Sequence, residues 1–108
     1  MSEKSFQELA SQVYVWANER NLLQPGNHEK QALKMVSEVG ELCDSIIKKD
    51  YPGIVDGIGD TLVTIIILCE QLKLDPVECL SVAYNEIANR KGKTVNGTFV
   101  KFEGNSDI

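Results

Sequence analysis

The stretch from Pro52 to Leu72 constrains this chain more than any other. It contains no lysine or arginine, and from Leu62 to Cys69 its only polar residue is Thr64. Its β-branched residues would suit a strand, but its length and the helical periodicity of its neighbours favour a helix. A helix this apolar is expected to be buried nearly all round. Asp56, Asp60 and Thr64 follow at i, i+4 and i+8, which lays one polar stripe along it. An ionised carboxylate among apolar groups costs several kcal/mol unless it is paired. Either the stripe is a solvated strip, or Asp60 meets a cation from elsewhere; the continuation into Thr64 rather than long charged residues favours the cation.

A second acid pair, Glu38 and Glu41, lies on the preceding segment. Asn27 is placed to cap a helix running to about Lys49, with Ala32, Met35, Val36, Val39, Leu42, Cys43 and Ile46 along one arc. Lys30, Lys34, Glu38 and Glu41 fall on another arc, the two glutamates roughly 60° apart. One such pair on an amphipathic helix is ordinarily solvent-facing. Two pairs on consecutive antiparallel helices can face each other, and four gathered carboxylates require a cation. Oxygen donors without histidine or thiolate suit Mg2+ or Mn2+, and magnesium held by few carboxylates leaves room for substrate phosphates. Gly40, a poorer helix former than alanine by ~1 kcal/mol, is expected to permit close approach of the two helices.

The rest of the chain supplies scaffold. Ser5 and Glu8 form a capping box for a helix reaching about Arg20, with Phe6, Leu9, Ala10, Val13, Trp16 and Ala17 at helical spacing. Leu22 to Gly26 is a connector closed by the breaker pair Pro25-Gly26. Pro52 suits the first turn of the third helix. Asp75, Pro76 and Glu78 open a fourth, whose Leu80, Ala83, Tyr84 and Ile87 make a core stripe and whose stop is Gly92. Thr94 to Val100, around Asn96-Gly97, reads as a hairpin with a type I′ turn, and 103–108 as a frayed tail. The expectation is a single all-α domain, bundle-like over about 5–92, with a hairpin at 93–102.

At 108 residues the chain is long enough for one domain, and its net charge of −5 argues against a nucleic-acid surface. Cys43, Cys69 and Cys79 are odd in number, widely spaced and set among apolar neighbours. They read as small buried hydrophobes in a reducing compartment. Met1-Ser2-Glu3-Lys4 opens no apolar signal region, and the run Leu62–Cys69 is far short of the ~20 residues a membrane span needs. The expected location is the cytoplasm.

Three blocks together resemble a known family. Glu38-Val39-Gly40-Glu41-Leu42, Ile58-Gly59-Asp60-Thr61-Leu62, and Ala83-Tyr84-Asn85 with Asn89-Arg90-Lys91-Gly92 are similar, in order and spacing, to the MazG-like nucleoside triphosphate pyrophosphohydrolases of the all-α NTP pyrophosphatase superfamily. The resemblance runs from Trp16 to Lys101. It implies Mg2+-dependent hydrolysis between the α- and β-phosphates, giving a nucleoside monophosphate and pyrophosphate. It also implies a homodimer or homotetramer with active sites near subunit contacts.

The family pattern is Glu-x-x-Glu followed by Glu-x-x-Asp, all four acids holding metal. Glu38, Glu41 and Asp60 match it and are the expected catalytic ligands. The third place falls on Gly57, and Asp56, one residue earlier, is the substitute ligand. Asn85 resembles the family's substrate-contacting asparagine, and Arg90 and Lys91, the latter favoured by the resemblance, are candidates for phosphate. Basic residues also simply suit a helix C-terminus. Lys34 is either a phosphate contact or an i,i+4 ion-pair partner of Glu38. Trp16 can stack on a nucleobase, although an aromatic at helical spacing is more often core, as Tyr84 is expected to be. His28 reads as surface or pocket rim.

Two other readings compete. One is a more dedicated enzyme of the same superfamily, acting on dUTP, dCTP or phosphoribosyl-ATP. The other is a catalytically silent helical oligomer that binds nucleotide or a partner protein, for which the gap at Gly57 argues. A di-iron carboxylate protein would need a Glu-x-x-His signature, and His28 lacks that partner.

Overall fold

The computed structural model describes residues 3–24 and 26–102. They form four helices and one hairpin: α1 (Phe6–Glu19), α2 (His28–Ile47), α3 (Tyr51–Gln71), α4 (Pro76–Ala88), β1 (Gly92–Val95) and β2 (Thr98–Lys101). The expected all-α class with a C-terminal hairpin is what the chain adopts. Its residues group into two compact units, Met1–Pro76 and Val77–Ile108. Pro25 and the tail at 103–108 lie outside the described residues.

In the first unit α1 begins with the expected capping box. Ser5 Oγ accepts from the Glu8 amide at 3.1 Å, and Glu8 Oε1 accepts from the Ser5 amide at 3.0 Å. This satisfies two donors that a helix start leaves open. Ala10 and Ala17, two turns apart, are the buried residues of α1, which packs on α3. Trp16 was expected in the core and is 45% exposed. It lies one residue, or about 100°, away from the Ala17 seam, and Arg20 covers its ring at 4.4 Å from the centroid.

α2 and α3 form an antiparallel helical hairpin across a three-residue turn. Lys49 adopts a left-handed φ of 58°, and the Asp50 side chain caps α3 by accepting from the Gly53 amide at 3.2 Å. The pairing along the hairpin can be followed residue by residue. Leu42 lies against Gly57, and Gln31 Nε2 donates to the Thr64 carbonyl at 3.1 Å. Gly57 is buried, and a Cβ there would stand 3.1 Å from Leu42 Cα. The glycine of close approach is therefore Gly57. Gly40, expected in that role, would have nothing within 4 Å of an added Cβ. Asn27 sits at the start of α2 but makes no side-chain cap bond. Its ψ of 3° departs from the extended conformation from which N-cap side chains reach back.

α3 is less enclosed than its composition implies. Gly57, Thr64, Ile66, Ile67 and Cys69 are buried, whereas Val55, Ile58 and Leu62 are exposed. Burial is concentrated in the C-terminal half. The hydroxyls at its middle turn inward on the helix itself: Thr61 Oγ1 donates to the Gly57 carbonyl at 2.8 Å and Thr64 Oγ1 to the Thr61 carbonyl at 2.7 Å. Gln71 Nε2 ties the end of α3 to the Leu22 carbonyl at 2.7 Å. At 21 residues, α3 as a whole is long and apolar enough to cross a membrane by length and composition alone, although the run Leu62–Cys69 is not. Core helices of soluble proteins meet the same test, and α3 packs against α1 and α2 with 28% of its apolar window buried.

In the second unit α4 has no buried residue, so Leu80, Ala83, Tyr84 and Ile87 are not the core stripe expected of them. One helix and a two-stranded hairpin enclose too little volume to bury a side chain fully. The hairpin pairs Gly92 with Lys101 through Val95 with Thr98. Asn96 (φ 52°) and Gly97 (φ 80°) both adopt the positive φ that a type I′ turn requires. Gly92 is the first strand residue, and a Cβ on it would collide with the Val100 carbonyl and the Phe99 ring. Among the cysteines Cys69 is buried, but Cys43 and Cys79 are exposed, against the expectation that all three are core.

Candidate functional site

The acids divide differently in space than in sequence. Glu38, on the α2 face turned to α3, is only 7% exposed. Its Oε2 is held by Lys34 Nζ at 3.1 Å, one turn earlier on the same helix. A buried carboxylate needs such a partner. Glu41, three residues on, is exposed. The two glutamates of one motif thus occupy opposite situations.

On α3, Asp56 stands one turn before Asp60, close enough for its carboxyl to act on that of Asp60. Partial loss of hydration is the first cause pushing the Asp60 carboxyl above the usual aspartate range. The charges of Asp56 and then Glu38 act in the same direction, and Lys34 opposes them. Asp60 is exposed as a residue, so solvent partly screens these effects. Lys34 and Glu38 on α2 and Asp56 and Asp60 on α3 therefore make one electrostatic group. Glu41 is not among the charges acting on Asp60.

Asp60 also belongs to a cleft of about 440 Å³ lined by Leu9, Gln12, Val13, Trp16, Asp60 and Val63. Its walls come from α1 and α3, which this unit packs together. Three aliphatic side chains and an indole surround one carboxylate and one carboxamide. Reading each helix singly for its acids or its core missed Leu9, Gln12, Val13 and Val63. The available signal was the i,i+4 step from Gln12 to Trp16, which puts both on one face.

The remaining site candidates lie in the second unit. The Asn85 carbonyl accepts from Asn89 Nδ2 at 3.4 Å. Arg90, with Ile87 and Phe99, lines a separate cleft of about 460 Å³. Its Nε is buried and, among the described residues, has no hydrogen-bond partner. Lys91 is exposed, and its carbonyl accepts from the Phe102 amide at 3.0 Å. His28 is exposed in the first turn of α2.

The donor set can be tested against a divalent cation. Glu38, Asp56 and Asp60 offer hard oxygens whose mutual repulsion, felt at Asp60, a Mg2+ ion would relieve. Their chemistry fits. Their present conformations do not converge: Lys34 holds one oxygen of Glu38. Among the described residues no three acids, cysteines or histidines are placed to hold a metal ion.

The chain is similar to an uncharacterized 18.2 kDa protein of the rep-hol intergenic region of Haemophilus phage HP1 (strain HP1c1). The two are 38% identical over 71 residues, which are 66% of this chain and 44% of that protein. The chain thus spans less than half of that relative's length. No protein-family model and no solved structure matches it.

Proposed function

We propose that this protein is a MazG-like, Mg2+-dependent nucleotide pyrophosphohydrolase that cleaves (d)NTP to (d)NMP and pyrophosphate. One observation carries the reading: Asp60 belongs at once to the acid group with Glu38 and Asp56 and to the cleft with Trp16. A nucleoside triphosphate has the matching form, a flat apolar base joined to a polyanion that travels with metal. The base lies against Trp16 and the phosphates extend past Asp60.

Glu38, Asp56 and Asp60, with Glu41 completing the motif, would hold the metal. Bound Mg2+ supplies neutralisation of the phosphates and acidifies a water for attack. Lys34 pairs with Glu38 at its buried position and would turn to the phosphates once a bound metal took over that charge. Leu9, Val13 and Val63 exclude water around the base. Asn85, Arg90 and Lys91 carry expected substrate contacts on the resemblance alone, and each is addressed by its own alanine variant through KM.

The reading extends to a cytoplasmic homodimer or homotetramer. Leu33, Val36, Ile46 and Ile47 on α2 and Val55 on α3 are all more than half exposed. Apolar surface on that scale is characteristic of chains that associate. Light scattering on a size-exclusion column tests this, with Val36→Asp expected to lower the assembled mass.

A second reading, a nucleotide-binding protein without turnover, is favoured by the Lys34–Glu38 ion pair and by the lack of a converged acid triad among the described residues. Pyrophosphate release from a panel of nucleotides with Mg2+ separates the two. The enzyme reading expects turnover by the wild type and its loss in Asp60→Asn. Equal turnover in both would remove Asp60 from the site, and no turnover of any nucleotide would leave binding alone.

A further inference from the structure

We infer that Gln12 reads the edge of the nucleobase and so decides which nucleotides the protein prefers. This rests on the proposed nucleotide reading of the α1–α3 cleft and goes beyond it by assigning the selectivity to one side chain. Trp16 offers a π-face, which every base satisfies equally, so stacking does not discriminate. Leu9, Val13 and Val63 contribute shape and no hydrogen bonds. Asp60 belongs to the acid group with Asp56 and Glu38, and a carboxylate only accepts. Gln12 is the lining residue left with both a donor and an acceptor, one turn before the indole on the same helix face.

Two other glutamines of this unit do not have this freedom. Gln31 donates to the Thr64 carbonyl and Gln71 to the Leu22 carbonyl, where both serve as fastenings between segments. The Gln12 carboxamide makes no hydrogen bond among the described residues and is exposed at the cleft. A base stacked on Trp16 presents its polar edge in the plane of the ring, which is where a side chain flanking the indole can meet it. A site that hydrogen-bonds a substrate edge discriminates far more strongly than one that only encloses it.

The test uses the chain's single tryptophan, Trp16, whose emission reports cleft occupancy without any need for turnover. Wild type, Gln12→Met and Gln12→Glu are titrated with dUTP, dCTP, dATP and dGTP in Ca2+, and kcat/KM is measured in Mg2+. Gln12→Met keeps size and removes the hydrogen bonds, so the wild-type ratios between bases should collapse toward one. Gln12→Glu accepts only, so preference should move toward the amino-bearing bases cytosine, adenine and guanine, relative to uracil, by roughly three- to tenfold. Ratios unchanged within twofold in both folded variants would overturn the assignment while leaving nucleotide hydrolysis standing. Turnover by the wild type with no change in Trp16 emission would also overturn it, by placing the base elsewhere. Neither turnover nor a fluorescence response would remove the nucleotide reading and this inference together.

Discussion

A Cβ added to Gly57 would stand 3.1 Å from the Cα of Leu42, so α2 and α3 meet at a point where one side is backbone and cannot move aside. The glycine that stands at the third acid position of the pattern this chain resembles is thus the one the helix contact requires. Gly57→Ala should destabilise the protein by about 1 kcal/mol, overpacking outweighing the gain in helix propensity. Gly40→Ala, with nothing within 4 Å, should stabilise by about 0.5–1 kcal/mol. Urea unfolding of the two variants should give midpoint shifts of opposite sign. The same sign for both would place the contact elsewhere.

The contrast between Gly40 and Gly57 marks how far sequence reaches in this molecule. Helix positions, the capping box and the Asn96-Gly97 turn are local properties, set by residues within a few places of one another. Which glycine lies at a crossing depends on the rotation of two helices about their axes, and periodicity constrains that only loosely. The same limit explains the acids. Spacing placed Glu38 and Glu41 on one arc, roughly 60° apart, and that angle is enough to leave Glu38 at 7% exposure and Glu41 in solvent. Trp16 is the converse case. Its helical spacing suited the core, but Ala17 took the seam and left the indole to line a cleft.

Because Glu38 is buried and Glu41 is not, their conservative variants should differ. Glu38→Gln should lower kcat/KM by at least about a hundredfold, and Glu41→Gln by less. Lys34→Met strips the partner from a buried carboxylate and should lower stability by about 0.5–1 kcal/mol. Steady-state kinetics and urea unfolding on the three variants check this together. A larger loss in Glu41→Gln than in Glu38→Gln would reverse the assignment of roles.

The hairpin of the second unit depends on Gly92 as much as on its turn. A methyl group there would strike the Val100 carbonyl and the Phe99 ring, both across the strand pair. Gly92→Ala should therefore open β1 from β2, while Lys93→Ala, on an exposed strand position, should not. Amide hydrogen exchange at 92–101 measures it directly. Undiminished protection in Gly92→Ala would show that the strands can separate slightly at no loss.

The raised proton affinity of Asp60 fixes the sign of a pH effect. Its ordinary value is 3.8, and in the folded chain it lies higher because of desolvation, then Asp56, then Glu38. Between the ordinary and the raised value the folded state binds more protons than the unfolded chain, so stability falls as pH rises through that window. Below 3.8 both states are protonated and the penalty vanishes. Asp60→Asn removes the titration. Above the window it should melt about 1–3 °C higher than the wild type, a small gain because Asp60 is exposed and partly screened. The two melting curves should converge as the pH approaches the ordinary aspartate value. Mg2+ should raise the melting temperature of the wild type, by binding the folded state alone, and should leave Asp60→Asn nearly unchanged. Thermal melts followed by circular dichroism from pH 3.5 to 8, with and without Mg2+, measure both effects, and an Asp60→Asn variant less stable than wild type at neutral pH would show that the carboxylate is already neutralised by a partner in the fold.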